Sequence, residues 1–206
     1  MLQKIIIIDY SMGNLNSVKR KLHQCGIDAL ISNQPSDILK ADKLILPGVG
    51  HFKKATENLK ALKLWDGLND SVLIKRTPIL GICLGMQLMA KRSEEGDCLG
   101  FGWFDAQVIK FRINDTLKYK VPHIGWNQIT IKKTCSLFDD VDLSSGFYFV
   151  HSYHIICNDK SEVLNETTYE YPFVSAIQRD NIFGVQYHPE KSHESGEQVL
   201  KNFIKI

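Results

Sequence analysis

Two short stretches carry side chains that could act together as nucleophile and base. In the first, Gly81-Ile82-Cys83-Leu84-Gly85, a cysteine stands between glycines. The segment Thr77–Ile82 reads as a buried strand and Leu84–Ala90 as a helix, which puts Cys83 on a sharp strand-to-helix turn, the cysteine form of a nucleophile elbow. Such a turn strains the backbone at the nucleophile, and the glycines let neighbouring chain pass close. The sulfur then sits at a helix N-terminus, where partial positive charge favours the thiolate. The Leu84 amide points toward the space where an oxyanion would form. Taken alone, the same pentapeptide also suits a buried core cysteine.

The second stretch is Gly184-Val185-Gln186-Tyr187-His188-Pro189-Glu190. His188 ends a predicted strand. In extended chain, residues i and i+2 point the same way, so Glu190 can hydrogen-bond the His188 ring, fix its tautomer and stabilise imidazolium. The other ring nitrogen is left to take a thiol proton and return it to a leaving amine. A third stretch, Leu46-Pro47-Gly48-Val49-Gly50, ends another predicted strand and offers amides for a second oxyanion donor. It lacks the G-K-[ST] of a phosphate loop, and Met12-Gly13 after Asp9 fails G-x-G-x-x-G.

These stretches need strands that deliver them to one edge. Ile5–Asp9 is a β-branched apolar run of the kind buried on both faces of a parallel sheet. Leu15, Val18 and Leu22 follow at helical spacing, with Gly26 as a stop. Lys43–Leu46 reads as a strand, Leu59–Ile74 as mostly helical, and Asp105 to about Tyr153 as antiparallel strands and turns. Ala176-Ile177 and Ile182–Tyr187 give two more strands. Ser195 and Gln198 predict a capping box opening a last helix with Val199, Leu200, Phe203 and Ile204 on one face. Alternating β and α elements predict a three-layer α/β sandwich around a mixed, largely parallel sheet, with additional antiparallel strands. Strand ends in such a sheet converge where sites form.

The 206 residues fit one domain spanning 1–206. Twenty-five basic residues against 23 acidic give a net charge of +2, and the longest basic run is Lys19-Arg20-Lys21, so nucleic acid is not an expected partner. The five cysteines have neither disulfide-scaffold nor zinc-site spacing. No apolar run reaches membrane length, and a cytoplasmic protein with reduced thiols is expected. No metal or cofactor is called for. Cys25, Cys98, Cys135 and Cys157 read as packing residues, and His23, His51 and His193 as surface. His151 and His154, in a Phe/Tyr-rich strand, read as core or pocket wall.

Together these segments resemble the class I (triad) glutamine amidotransferases. The resemblance runs through the whole chain and rests on Gly-Ile-Cys-Leu-Gly-Met-Gln at 81–87, Ser93-Glu94-Glu95-Gly96 and Gln186-Tyr187-His188-Pro189-Glu190-Lys191-Ser192. A narrower resemblance is to the glutaminase subunits of imidazole glycerol phosphate synthases. It is carried by Asp9-Tyr10-Ser11-Met12-Gly13-Asn14-Leu15, the 46–50 turn, Val121-Pro122-His123-Ile124-Gly125-Trp126-Asn127 and Tyr148-Phe149-Val150-His151-Ser152-Tyr153.

The resemblance implies that Cys83 attacks the glutamine side-chain amide, with His188 and Glu190 completing the triad. It implies an oxyanion hole from the Val49 and Leu84 amides. Gln87 and Glu95 would hold the substrate, and Gly50 and the His151-Ser152-Tyr153 backbone would line its pocket. It also implies a (β/α)₈-barrel synthase subunit as partner in a heterodimer. The barrel would receive the ammonia for histidine biosynthesis, with Asn14, Trp126, Tyr148 and Lys191 facing it. His154, where the family usually has an aromatic, Ser11 in place of a common glycine, and the Phe101–Asp105 segment depart from the pattern. They leave the triad untouched and bear on the acceptor. A paralogous subunit supplying ammonia for surface-polysaccharide amino or amidino sugars is therefore an alternative. A γ-glutamyl hydrolase or cysteine peptidase would share the Cys/His pair but not Gln87, Glu94-Glu95 and the later segments together. A non-catalytic binding subunit would have lost a triad member.

Overall fold

The computed structural model describes residues 3–206. Strand β1 (Ile5–Ile8) shows how the layers form. Its four isoleucines are buried, and alternation sends them to opposite sides. Ile6 and Ile8 pack with Leu44, Leu46, Phe52 and Leu59, whereas Ile5 and Ile7 pack with Val18, Leu22, Leu200 and Phe203. Removing each such side chain from water contributes roughly 2 kcal/mol. The two cores are the two faces of one sheet.

The chain continues through α1 (Leu15–Gln24), β2 (Ala29–Ser32), α2 (Pro35–Leu39), β3 (Lys43–Gly48), α3 (Phe52–Ala61) and α4 (Leu64–Asn69). It then forms β4 (Ile79–Cys83), α5 (Leu84–Gln87), β5 (Ala90–Ser93), β6 (Cys98–Leu99) and β7 (Phe104–Lys110). Next come β8 (His123–Asn127), β9 (Thr130–Ile131), β10 (Phe147–His151) and β11 (Tyr153–Cys157). The last elements are β12 (Val163–Tyr169), β13 (Tyr171–Arg179), β14 (Ile182–Val185) and α6 (His193–Lys205). The large sheet runs β2-β1-β3-β4-β14-β13-β11-β7-β5-β6, with β12 on β13 and β9 on β12. From β2 to β14 every pairing is parallel. Beyond β14 the pairings are antiparallel except β5 with β7. Strands β8 and β10 form a separate antiparallel pair. The α/β sandwich with a mixed sheet is as the sequence predicts.

Registers place the carboxyl ends of three strands side by side. Gly48 of β3 lies opposite Cys83 of β4, and Val185 of β14 lies opposite Ile82. Residues following each strand therefore meet at one edge.

Several local expectations are corrected. The helix after Cys83 is a single turn ending at Gln87, and Ala90–Ser93 is a strand, because pairing with β6 and β7 overrides the helical pattern. Strand β3 runs through Pro47 and Gly48, leaving only Val49-Gly50 as a turn. A helix begins at Phe52, ahead of the predicted 59, with the His51 ring accepting from the Lys53 N–H as its cap. Strand β2 and α2, too short for a periodic signal, carry no sequence prediction. Ser195 and Gln198 form no capping box. The last helix starts at His193, the Ser195 hydroxyl donates to the Asp142 carbonyl, and the Gln198 amide donates to Asn202.

Candidate active site

Cys83 has φ 54° and ψ −109°, a backbone conformation that costs a side-chain-bearing residue free energy. Packing enforces it. The turn after β4 comes so close to β3 that a Cβ at Gly85 would overlap the Leu46 carbonyl, and one at Gly81 would lie 2.7 Å from the Gly85 carbonyl. The elbow therefore needs its glycines for close approach, as the sequence predicts. Its sulfur is 3.9 Å from the Val150 carbonyl oxygen and accepts from Gln186 Nε2 at 3.5 Å.

His188 reaches the same place from β14. Its N–H donates to the Tyr148 carbonyl at 2.9 Å. The buried Ser192 hydroxyl donates to the His188 carbonyl at 2.6 Å and accepts from the Tyr148 N–H at 3.0 Å. Strand β10 thus pins the histidine backbone. Nδ1 of the ring lies 2.8 Å from Glu190 Oε1, both side chains being almost fully buried. The expected partner is met by a different route: Pro189–Lys191 is a tight 3₁₀ turn, not extended chain, and the turn brings Glu190 back. Among the described residues Nε2 makes no hydrogen bond, which leaves it for the sulfur and its reactants. Burial pulls the His188 pKa down. The Cys83 thiolate, followed by Glu190, raises it by more, to about 10. A protonated imidazole held between the Cys83 sulfur and a carboxylate is the resulting arrangement.

Beside the sulfur is a cavity of about 280 Å³ lined by Val49, Gly50, Cys83, Leu84, Gln87, Glu95, Pro122, Val150, His151, Ser152 and Tyr153. Every expected pocket residue is in this wall. Gln87 Nε2 donates to the Tyr153 carbonyl and to Gln186 Oε1, both at 2.9 Å. Glu95 Oε2 accepts from the Phe52 N–H at 2.8 Å, which ties α3 to the pocket. Gly50 holds φ +108°, with the Met12 methyl close by. Under Gly48 lies Tyr10, fully buried, its hydroxyl without a hydrogen-bond partner among the described residues and its pKa raised by burial and by Cys83.

Of three further buried histidines, His151 lines the pocket, His123 bonds to it, and His154 lines a neighbouring cavity. The His151 Nδ1–H donates to the Tyr153 carbonyl at 2.8 Å, which leaves Nε2 to accept from His123 Nδ1 at 3.3 Å. His154 Nε2 lies 3.1 Å from the Tyr171 hydroxyl. Phe111 and Phe173 pack on His151 and His154. Burial lowers all three, His123 and His154 to about 4 and His151 well below 6.5.

The residues expected to face a partner divide into two groups. Trp126 is 47% exposed, meets Tyr148 edge-on at 6.1 Å and stacks on His193 at 4.7 Å, and Lys191 Nζ lies 5.4 Å over the Tyr148 ring. His193, expected at the surface, is exposed and stacked there. Asn14 instead spends its side chain capping α1, accepting from the Ser17 N–H at 3.3 Å.

The model of the glutamine amidotransferase class-I family matches residues 6–206. The chain belongs to the class-I glutamine amidotransferases. Among members of the family, it is 50% identical to imidazole glycerol phosphate synthase subunit HisH 2 of Methanococcus maripaludis, with 98% of each chain covered. It is 46% identical to subunit HisH 1 of Campylobacter jejuni, covering 98% of this chain and 100% of that one. PurLQS from Thermotoga maritima superposes with a TM-score of 0.72 at 16% identity, covering 100% of this chain and 99% of that one. That likeness is one of fold. Pro122, Val150 and Gln186 are site residues without a sequence prediction of their own. Each adjoins or sits within a motif quoted for the resemblance, and the position beside a motif is the only signal that marks them.

Proposed function

We propose that this chain is the glutaminase subunit of an imidazole glycerol phosphate synthase, one domain over residues 1–206 acting in the cytoplasm. The observation that carries the reading is the cavity itself: Cys83 lies at its base, Gln87 and Glu95 in its wall, and His188–Glu190 behind the sulfur. The relatives named HisH, matched over nearly their full length, support the same reading.

The chemistry follows from the positions. The Cys83 thiolate attacks the side-chain carbonyl carbon of glutamine, and the oxyanion forms between the Leu84 and Val49 amides. The C–N bond breaks as His188 gives its proton to the nitrogen, releasing ammonia and leaving a thioester. Water adds with His188 Nε2 as base, the C–S bond breaks, and glutamate leaves with the thiolate restored. Glu190 keeps the ring oriented and charged.

A (β/α)₈-barrel synthase subunit covers the mouth of the cavity. Val49, Trp126 and Ile124 expose 40%, 47% and 60% of their surface. Trp126, Tyr148 and Lys191 form a preordered aromatic and cationic patch of the sort that anchors an interface. Ammonia passed directly into the partner avoids protonation in bulk water. The Val49-Gly50 turn completes the oxyanion hole on docking, since Gly50 permits the backbone reorientation.

The test is glutamine hydrolysis by the purified chain, alone and with a candidate barrel and its nucleotide substrate. Large stimulation, abolished by Cys83→Ala, is expected. Equal rates with and without the partner would refute the docking step. A second reading, a paralogous subunit feeding amino or amidino sugar synthesis, rests on the departures from the family pattern at Ser11, His154 and the Phe101–Asp105 segment. It predicts Cys83 alkylation by a glutamine analogue but no stimulation by the histidine-pathway barrel.

A further inference from the structure

We propose that Gln186 is a catalytic residue that holds the Cys83 sulfur as thiolate, and that Gln87, a wall residue of the substrate cavity, is the positioning residue that orients it. The inference rests on the reading of Cys83 as nucleophile. Gln186 is fully buried, on the segment that leads from β14 to His188. Gln186 and His188 are two apart and both point at the sulfur, whereas Tyr187 between them packs into the core.

A carbonyl fixes which end of each amide faces which neighbour. The Tyr153 carbonyl can only accept, so the Gln87 atom 2.9 Å from it is nitrogen. The same nitrogen lies 2.9 Å from the Gln186 side chain, so the Gln186 atom it meets is oxygen. The remaining end of the Gln186 amide, 3.5 Å from Sγ, is then the donor. An N–H aimed at sulfur favours thiolate over thiol and stabilises it again as the leaving group when the thioester is hydrolysed. Flipping the Gln186 amide would place its NH₂ against that of Gln87, losing that hydrogen bond, and would put an oxygen where a thiolate needs a donor. Both nitrogen-bound hydrogens of Gln87 are spent in the chain, so only its Oε1 is left for a ligand in the cavity. The residue that meets substrate is therefore wired, through one amide, to the nucleophile.

The test reads the pH dependence of Cys83 carboxamidomethylation by iodoacetamide, located by peptide mass spectrometry because four other cysteines are present. The other titratable groups facing the site are His188 with Glu190 behind it, Tyr10, His151 and Glu95, and none is altered. Gln186→Leu should raise the midpoint by about one pH unit, which corresponds to ~1.4 kcal/mol. Gln87→Met, which does not touch the sulfur, should raise it by roughly half a unit by freeing the Gln186 amide. Unchanged midpoints in folded variants would overturn the proposal. Should Gln186→Leu fail to fold, Gln87→Met decides on its own. Wild-type chain that resists a glutamine-analogue alkylator, with the barrel present, would overturn the nucleophile reading and this inference with it. Alkylation by the analogue with unshifted iodoacetamide midpoints would overturn this inference alone.

Discussion

Four buried histidines lie close together in and beside the site, and their neighbours drive His188 and the other three to opposite charge states. His123, His151 and His154 are surrounded by Phe111, Phe173, Tyr169 and Tyr171, and their hydrogen-bonding neighbours are two carbonyls, a hydroxyl and, for His123 and His151, each other. Desolvation outweighs what opposes it there, for His154 the Ile155 carbonyl and the more distant Glu94, and lowers all three. His188 is as deeply buried, yet its pKa rises, because the Cys83 thiolate and Glu190 stand on either side of the ring. The difference lies in the anions and not in the depth. A histidine made to carry a proton at neutral pH needs a carboxylate fixed at hydrogen-bond distance. A histidine made to build a wall needs aromatics and neutral hydrogen-bond partners.

The comparison breaks most directly if His188 is moved toward the other set. Glu190→Gln keeps the shape and removes the charge. The kcat for glutamine hydrolysis with the partner should fall by about 10²–10⁴-fold. The alkaline limb of its pH profile should also move to lower pH, since one cause of the raised His188 pKa is gone and the imidazolium that protonates the leaving nitrogen is lost sooner. An unshifted limb would mean that Glu190 only orients the ring.

A smaller effect tests the aromatic set. A histidine whose folded pKa is depressed leaves the unfolded chain holding more protons between the two values. Stability is thus complete above pH 6.5 and is lost as pH falls toward 4, the value for His123 and His154. His154→Phe should remove its share of that loss, about 2 kcal/mol at pH 5 relative to neutral pH. Chemical denaturation at the two pH values measures it, and an unchanged pH dependence would contradict the neutral assignment. The smallest effect concerns Tyr10, whose buried hydroxyl has no hydrogen-bond partner among the described residues. Tyr10→Phe should raise stability by about 1 kcal/mol, because an unpaired hydroxyl no longer has to be desolvated. A loss of stability would reveal a partner for that hydroxyl.

How much of this was legible in the sequence depended on whether the signal was local. The isoleucine run, the cysteine between glycines and His-Pro-Glu are local signals, and each lies where it was expected. The i, i+2 rule chose the right partner for His188 by the wrong geometry, since a 3₁₀ turn and not extended chain brings Glu190 round. Helical spacing over Leu84–Ala90 misled, because β5 exists only through pairing with β6 and β7. The Ser195/Gln198 pattern misled in the same way, both side chains having tertiary partners. Gln186 stood inside a recognised motif without a role. Its role depends on Gln87 and the Tyr153 carbonyl, which are distant in sequence and meet only in the fold.

The most direct test of the contrast between the two histidine sets is a nitrogen-detected NMR titration of the side chains in the intact chain. His188 should remain imidazolium, with both ring nitrogens protonated, through neutral pH and beyond, and should lose that state at lower pH in Cys83→Ala. His151 should stay neutral throughout. A neutral His188 ring at pH 7 in the unmodified chain would contradict the account.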